Sequence, residues 1–490
     1  MKTAFFGKTL SGPFTIPSGI VTTATPIIQY VFDHMPEVGV VTTKSIGLEP
    51  RAGYREPVLS QYAPGCFVNA VGLTNPGAHE SLELLAALQV PKDRFLLTSI
   101  FGGSVEEFVA VAKILAPVSD GLELNLSCPH AKGYGMAMGQ DPDVVREITA
   151  AVKAVVDIPV IPKLTPNTPD IAEIAEAAIA GGADGLCAIN TLGPGYTSAH
   201  GHAVLSNGAG GMSGKGVLPI GLKCVREVAA VADCPIIGCG GVSSADDVRA
   251  YLDAGASIVG VGSSLIGLTT AEIGAYFTTL AADLEGGQDR AEAHIRYDID
   301  MRFQPVTLVE NKRVCEDITI LTFDRKINVQ AGEFIFLWVP GVGEKPFSAL
   351  TDDPFSLVVI DVGFFTHALM DLPVGTESYV RGPHGIPVTP AEDARVMAVA
   401  GGTGLAAVYQ IARDFGNAEV FAGARSAERL YFLEECRHVA DVHVATDDDS
   451  AGYHGVVTEL LRQRLREMSP QERERLVFYN CGPEPMVHAA

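Results

Sequence analysis

Short runs of β-branched and aliphatic residues alternate with stretches whose apolar positions recur every three or four residues, from the amino terminus to about residue 283. The runs VGVVTTK (38–44), FLLTSIF (95–101), GLELNLS (121–127), IPVIPKL (158–164), DGLCAIN (184–190), PIIGCGG (235–241) and SIVGVGS (257–263) read as strands. They are rich in Val, Ile and Leu and lack polar alternation, which is the pattern of parallel strands covered on both faces. Helix signals follow them. Thr168 with Pro169 predicts an N-cap and first turn, Ile171, Ile174, Ala175, Ala178 and Ile179 share one face, and Gly181 and Gly182 close the helix. Asp141 and Pro142 open another in the same way. An alternation of this length predicts a (β/α)8 TIM barrel over residues 1–283, with a doubly wound open sheet as the structural alternative.

Residues 284–300 are charged, lack an apolar stripe and read as a linker. A new start then follows at Met301. From 301 to 392 the runs are short, β-branched and broken by Gly and Pro, which predicts a small antiparallel β-barrel. From 393 to 490 strand, glycine loop and helix return, predicting a nucleotide-binding α/β domain. The chain reads as a fusion of two proteins.

Charge narrows the partners. Lys and Arg number 35 against 58 Asp and Glu, a net charge of −23, which argues against nonspecific binding to nucleic acid or anionic membrane. Residues 9–32 carry no charge, but Pro13, Pro17 and Pro26 break them, so neither a spanning helix nor a signal peptide is expected. The nine cysteines form no CxxC pair, which fits a reducing cytoplasm and offers no metal or iron–sulfur ligand run. A cytoplasmic homo-oligomer acting on a small molecule is expected.

Polar residues end successive barrel strands: Lys44, Asn125, Lys163, Asn190, then Gly240 with Gly241 and Gly262 with Ser263. That rim carries the chemistry in this fold. The glycine turns GGMSGKG (210–216), GCGGV and VGVGSS let backbone N–H groups close around a phosphate, against a reading as plain turn glycines. Two lysines at strand ends suit an anionic cofactor. Asn69, Asn125 and Asn190 suit a planar amide–imide ring, or cap turns. Cys128 is either a small buried filler or, as a thiolate, a general base.

NLSCPH, with VTTKSIGLEPR, FVNAVGLTNPG, IPKLTPN, INT, GGMSG, GCGGV and VGSS in order, resembles the dihydroorotate dehydrogenase family in its NAD-linked two-subunit class, over nearly all of residues 1–283. The resemblance implies FMN in the barrel, Cys128 as the base and Lys44 as its catalytic companion. It implies Lys44, Asn69, Gly72, Leu73, Asn125, His130, Asn190 and Thr191 around the substrate. Ser18, Gly19, Lys44, Ser45, Asn125, Lys163, Gly214, Gly240, Gly241, Gly262 and Ser263 would hold FMN. The family commonly has SCPN where this chain has SCPH, a sequence shared with dihydropyrimidine dehydrogenases, as is the following GQDP. Uracil or thymine reduction is therefore the alternative activity, and a non-catalytic flavin-binding module the alternative of another class. Ser99 stands where many members have a flavin-contacting Asn.

GEKPFSAL (343–350) resembles the flavin signature of the ferredoxin-reductase-like electron-transfer subunit, with Lys345 in place of Arg. The resemblance implies FAD held by Lys345, Pro346, Phe347, Ser348 and Thr366. It implies NAD held by Gly401, Gly402, Thr403 and Gly404, with Cys481 and Gly482 on the nicotinamide side. That subunit continues into a cysteine run holding a two-iron, two-sulfur cluster. This sequence ends at Ala490 before such a run, so the cluster is not carried over.

Overall fold

The computed structural model describes residues 2–126, 136–287, 290, 299–391, 393–416 and 418–490. They fall into two compact units, Met1–Ile299 and Asp300–Ala490.

In the first unit eight parallel strands close a barrel. They are β1 Phe14–Ile16, β2 Val38–Thr42, β3 Phe95–Ile100, β4 Gly121–Asn125, β5 Val160–Leu164, β6 Leu186–Ala188, β7 Ile236–Cys239 and β8 Ile258–Gly260. Each pairs with the next in sequence, and β8 returns to β1. Seven of these are the runs read from sequence. The eighth, β1, went unread because it is three residues long between Pro13 and Pro17.

Successive residues of a strand point to opposite sides. One set packs under the helices, as in Val41, Leu96, Leu122 and Val160. The other fills the barrel interior with Val40, Phe95, Leu97, Ile161, Ile237 and Ile258. The hairpin Thr3–Phe5 with Lys8–Leu10 plugs the amino-terminal end, placing Phe5 and Leu10 in that interior cluster.

Asp141 caps its helix as expected, accepting from the N–H groups of Asp143 and Val144. The helix Ile171–Ala180 starts later than expected. Its N-cap is Asp170, whose carboxylate accepts from Ala172 N and Glu173 N. An ionised carboxylate satisfies two orphan N–H groups where the Thr168 hydroxyl offers less. Among the described residues the last helix of the unit runs Thr270–Gly286, beyond the boundary read at 283.

A feature unread from sequence sits above the barrel. The strands Leu59–Ala63, Cys66–Asn69, Gly210–Gly214 and Leu192–Gly195 form a four-stranded antiparallel sheet. It is built from the loops after β2 and β6, so its pairing is non-local and leaves no short-range signature.

The second unit holds two sheets. Seven antiparallel strands are β9 Gln304–Cys315, β10 Ile318–Phe323, β11 Phe334–Val339, β12 Gly343–Phe347, β13 Ala349–Asp352, β14 Phe355–Ile360 and β15 Glu377–His384. Their order is β12-β11-β15-β9-β10-β14-β13. The end strands β12 and β13 are joined through Ser348 alone, so the sheet must roll round on itself to bring its ends together. Five parallel strands follow: β16 Arg395–Gly401, β17 Glu419–Ala424, β18 Asp441–Thr446, β19 Tyr453–His454 and β20 Leu476–Cys481, ordered β19-β18-β17-β16-β20. Among the described residues no helix is long and apolar enough to cross a membrane.

Candidate active site

Strand parity decides what the barrel presents to its carboxyl-terminal rim. In β4 the inward residues are Gly121, Glu123 and Asn125, two apart. Asn125 pairs in register with Lys163 of β5, and Glu123 with Ser99 of β3. The interior thus turns from apolar at Phe95 and Ile161 to polar at Ser99, Glu123 and Lys163.

Above that polar layer lies a cavity of about 400 Å³. Ser18, Gly19, Lys44, Ser45, Asn69, Gly72, Leu73, Asn125, Lys163, Asn190, Thr191, Gly240, Gly241, Gly262 and Ser263 all line it. They come from the ends of seven strands, from the loop at residues 72–73 and from the antiparallel sheet above, which supplies Asn69. Gly214 lies outside that lining. A Cβ there would sit 2.1 Å from the Gly65 carbonyl oxygen, so this glycine serves close packing of the covering sheet. Pro17, Ile20, Ile189, Met212, Val217 and Ile266, unread from sequence, add apolar walls. Cys128 and His130 lie outside the described residues.

Backbone geometry at the rim is specialised. Gly240 and Gly241 have φ of +131° and +77°, and Tyr251 Oη donates to the Gly240 carbonyl at 2.8 Å. Leu73 has φ +60°, a left-handed conformation that costs a branched residue energy, directly after Gly72 at +82°. Together they turn the loop's backbone toward the cavity.

The polar side chains form one connected network. Lys163 Nζ lies 3.6 Å from Glu123 Oε2, both side chains almost fully buried. Ser99 Oγ donates to Glu123 Oε1 at 2.9 Å and lies 2.9 Å from Ser45 Oγ. Ser45 Oγ accepts from Asn125 Nδ2 at 2.9 Å, and Asn125 Oδ1 accepts from Asn190 Nδ2 at 3.2 Å. Burial works to lower the Lys163 pKa, yet the facing Glu123 carboxylate, with Cys187 and Cys239 beside it, outweighs that and the ammonium is held above its ordinary value. Ser99 is fully buried and its hydroxyl is spent on Glu123 and Ser45, so it belongs to this network and not to the cavity wall. Sequence reading missed Glu123. The signal was there: an acid two residues before a rim Asn must face the barrel interior, where it needs a cation.

In the second unit Lys345 and Phe347 sit on β12, with Pro346 between them and Ser348 at the corner to β13. Phe347 packs 6.4 Å from the Phe365 ring. Thr366 is occupied locally: its hydroxyl accepts from the N–H groups of Val362 and Gly363 and donates to Gly363 O, capping the helix Phe364–Met370. β16 ends at Gly401, and Gly402, Thr403 and Gly404 turn the chain into the helix Leu405–Phe415. Cys481 ends the neighbouring β20 in register with Ala400. A Cβ on Gly482 would lie 3.0 Å from the backbone of Gly401. The two glycine motifs therefore pack backbone to backbone at the carboxyl edge of the parallel sheet, where such sheets bind nucleotides. Burial raises the Cys481 thiol pKa, keeping it neutral.

A sequence profile described as Dihydroorotate dehydrogenase matches residues 1–272. The chain belongs to the dihydroorotate dehydrogenase family. The family's members are flavin-dependent oxidoreductases acting on CH–CH bonds. A second profile, described as Oxidoreductase NAD-binding domain, matches residues 398–490. The dihydroorotate dehydrogenase B (NAD(+)) catalytic subunit of Pyrococcus horikoshii is 44% identical over 269 residues, 54% of this chain and 86% of that protein. The subunits so named from Methanocella arvoryzae and Methanocaldococcus jannaschii are 44% and 42% identical. They span 53% and 54% of this chain, and 85% and 87% of their own lengths. Each matches little over half of the chain, as expected of a catalytic barrel with a second module fused to it.

The barrel cavity fits the flavin its family implies. Two lysines and no carboxylate are among the described residues lining it. At Gly19 and Gly262 a Cβ would meet nothing closer than 3.7 Å, so the glycines there leave the backbone open to a ligand.

Proposed function

We propose that this chain oxidises dihydroorotate to orotate, with FMN in the barrel and electrons passed on through FAD to NAD. The observation that supports this best is the cavity's donor set: Lys44 and Lys163 with Asn69, Asn125 and Asn190 at one rim, in a chain of the dihydroorotate dehydrogenase family.

FMN, when bound, supplies the hydride acceptor. The chain's own residues do the rest. Ser18, Gly19, Lys163, Gly240, Gly241, Gly262 and Ser263 would hold that cofactor, with Lys44 and Lys163 favouring added negative charge without reorganisation. Asn69, Asn125, Asn190 and Thr191, with the backbone of Gly72 and Leu73, would orient the ring's amide and imide edges. Cys128 would take the proton from C5 as hydride leaves C6. The second unit would hold FAD at Lys345, Phe347 and Ser348. NAD would lie at residues 401–404, with Cys481 and Gly482 beside it.

Anaerobic mixing of the purified protein with dihydroorotate or dihydrouracil tests the reading. Bleaching of the visible flavin band by dihydroorotate is expected. Bleaching by dihydrouracil alone would replace it with a dihydropyrimidine dehydrogenase, and a colourless protein that takes up no flavin would remove both.

A further inference from the structure

The cavity floor is wired to one buried carboxylate. Ser99 Oγ has a single proton and gives it to Glu123 Oε1. In the contact between Ser45 Oγ and Ser99 Oγ the donor must therefore be Ser45. Its proton spent, Ser45 accepts from Ser18 Oγ at 3.1 Å and from Asn125 Nδ2 at 2.9 Å. That fixes the Asn125 amide with its oxygen toward Asn190 Nδ2, and Asn190 Oδ1 in turn accepts from Thr191 N at 2.8 Å. Glu123 as acceptor sets the directions from Ser99 through Ser45 to Ser18, while the Thr191 N–H, a fixed donor, sets those of Asn190 and through it Asn125, so the two ends of the chain agree at Asn125. The other carboxylate oxygen faces Lys163 Nζ at 3.6 Å. Among the described residues the titratable groups facing that ammonium include Glu123 from β4, Cys187 from β6 and Cys239 from β7, while Lys44 after β2 lines the same cavity.

We propose that Glu123 is a positioning residue that fixes both the charge of Lys163 and the hydrogen-bond direction of the serine chain that holds the Asn125 amide. The proposal rests on the reading of this cavity as a site for flavin and a pyrimidine. Glu123 does not line the cavity; it acts through the residues that do. Without it, burial loses the main charge that opposes it and Lys163 gives up its proton at lower pH than in the native protein. A glutamine there could donate instead of accept, which would free the serine chain to invert and leave the Asn125 amide competing for Ser45.

FMN binding to apoprotein, followed by quenching of flavin fluorescence, tests the charge. Between about pH 7 and about pH 9.5 the ratio of the E123Q Kd to the native Kd is expected to climb about tenfold, as a lysine neutralises. In the E123Q/K163Q double variant the ratio to native should stay flat. A ratio constant within about twofold for folded E123Q would overturn the proposal. S99A keeps both charges and covers the case in which E123Q does not fold. In S99A, orotate binding, read as a shift of the flavin band, should weaken about threefold or more while the FMN Kd stays within about twofold. Unchanged orotate affinity in S99A would likewise overturn it. Native protein that takes up no FMN would instead remove the flavin reading, and the native control shows this before any variant is read.

Discussion

A Cβ added to Gly404 would lie 1.9 Å from the carbonyl oxygen of Cys481, closer than any real contact. The turn that opens the helix Leu405–Phe415 and the end of β20 are thus pressed together without room for a methyl group. Gly404→Ala must push the glycine loop or the Cys481 strand end out of place. The expected result is a loss of NADH affinity of about tenfold or more, since nucleotide pyrophosphates are held by loops of this kind. Reduction of the barrel flavin by dihydroorotate should stay within about twofold of native. Stopped-flow measurement of the two half-reactions separates them, and equal losses in both would count against a role confined to the nucleotide domain.

Arg94 is buried beneath the barrel and donates to the carbonyls of Met35 and Val38, with Phe32 O within reach. It therefore gathers the end of the helix Thr25–His34 and the start of β2, satisfying carbonyls that have no helical partner. Arg94→Ala is expected to destabilise the first unit by about 2–4 kcal/mol, because buried carbonyls lose a charged donor and a large buried side chain is removed. The readout is the midpoint of its thermal unfolding. Arg94→Lys reaches fewer carbonyls and should recover only part of the loss.

What was legible in the sequence was local. Seven barrel strands, the Asp141 cap and the strand-end part of the cavity lining, from Lys44 and Asn125 to Gly262 and Ser263, show in short-range patterns, and such signals need only neighbouring residues. What escaped needed pairing across the fold. β1 is too short between its prolines to show a pattern. The covering sheet joins residues 59–69 to 192–214, a partnership no window contains. Gly214 sits in a glycine-rich run that suits a phosphate turn, and its close approach to Gly65 emerges only from the pairing of the covering sheet. Thr366 and Ser99 illustrate the same limit. A hydroxyl's role depends on which group it meets, and both found internal partners. Glu123 became meaningful only once register set Lys163 on the next strand and Ser99 on the one before.

Glu419, buried at the start of β17, lies between Arg395 and Arg464. Its carboxylate also sits with Asp441 and His443 in a cluster whose ligand atoms fall within 4.8 Å of one another, but the two guanidinium groups already supply the opposing charge. Burial works to raise its pKa, and the two arginines outweigh it, leaving the carboxyl below its ordinary value. A depressed carboxyl stabilises the fold above its unfolded pKa of about 4.3, and that contribution is lost as pH falls through the folded pKa. The second unit should therefore lose stability in acid more steeply in the native protein than in Glu419→Gln. At neutral pH the variant should already be about 2–3 kcal/mol less stable, since both arginines lose their partner. Urea titrations followed at the nucleotide domain at neutral pH and in acid decide this, and parallel curves would refute it.

Cys128 stands three residues beyond Asn125, whose amide lines the cavity and is held by Ser45. As the proposed base it must be a thiolate when the proton leaves C5, so the rate of flavin reduction should rise with pH to a plateau. A serine in its place keeps size and polarity but loses acidity. Cys128→Ser is expected to slow flavin reduction by dihydroorotate about 10²–10⁴-fold near neutrality, the range for removing a general base. The rate should keep climbing with pH where the native rate has levelled. Binding of orotate, measured by the flavin band shift, should change by no more than about threefold, which separates a chemical role from a packing one. A variant as fast as native near pH 7 would show that the proton leaves by another route.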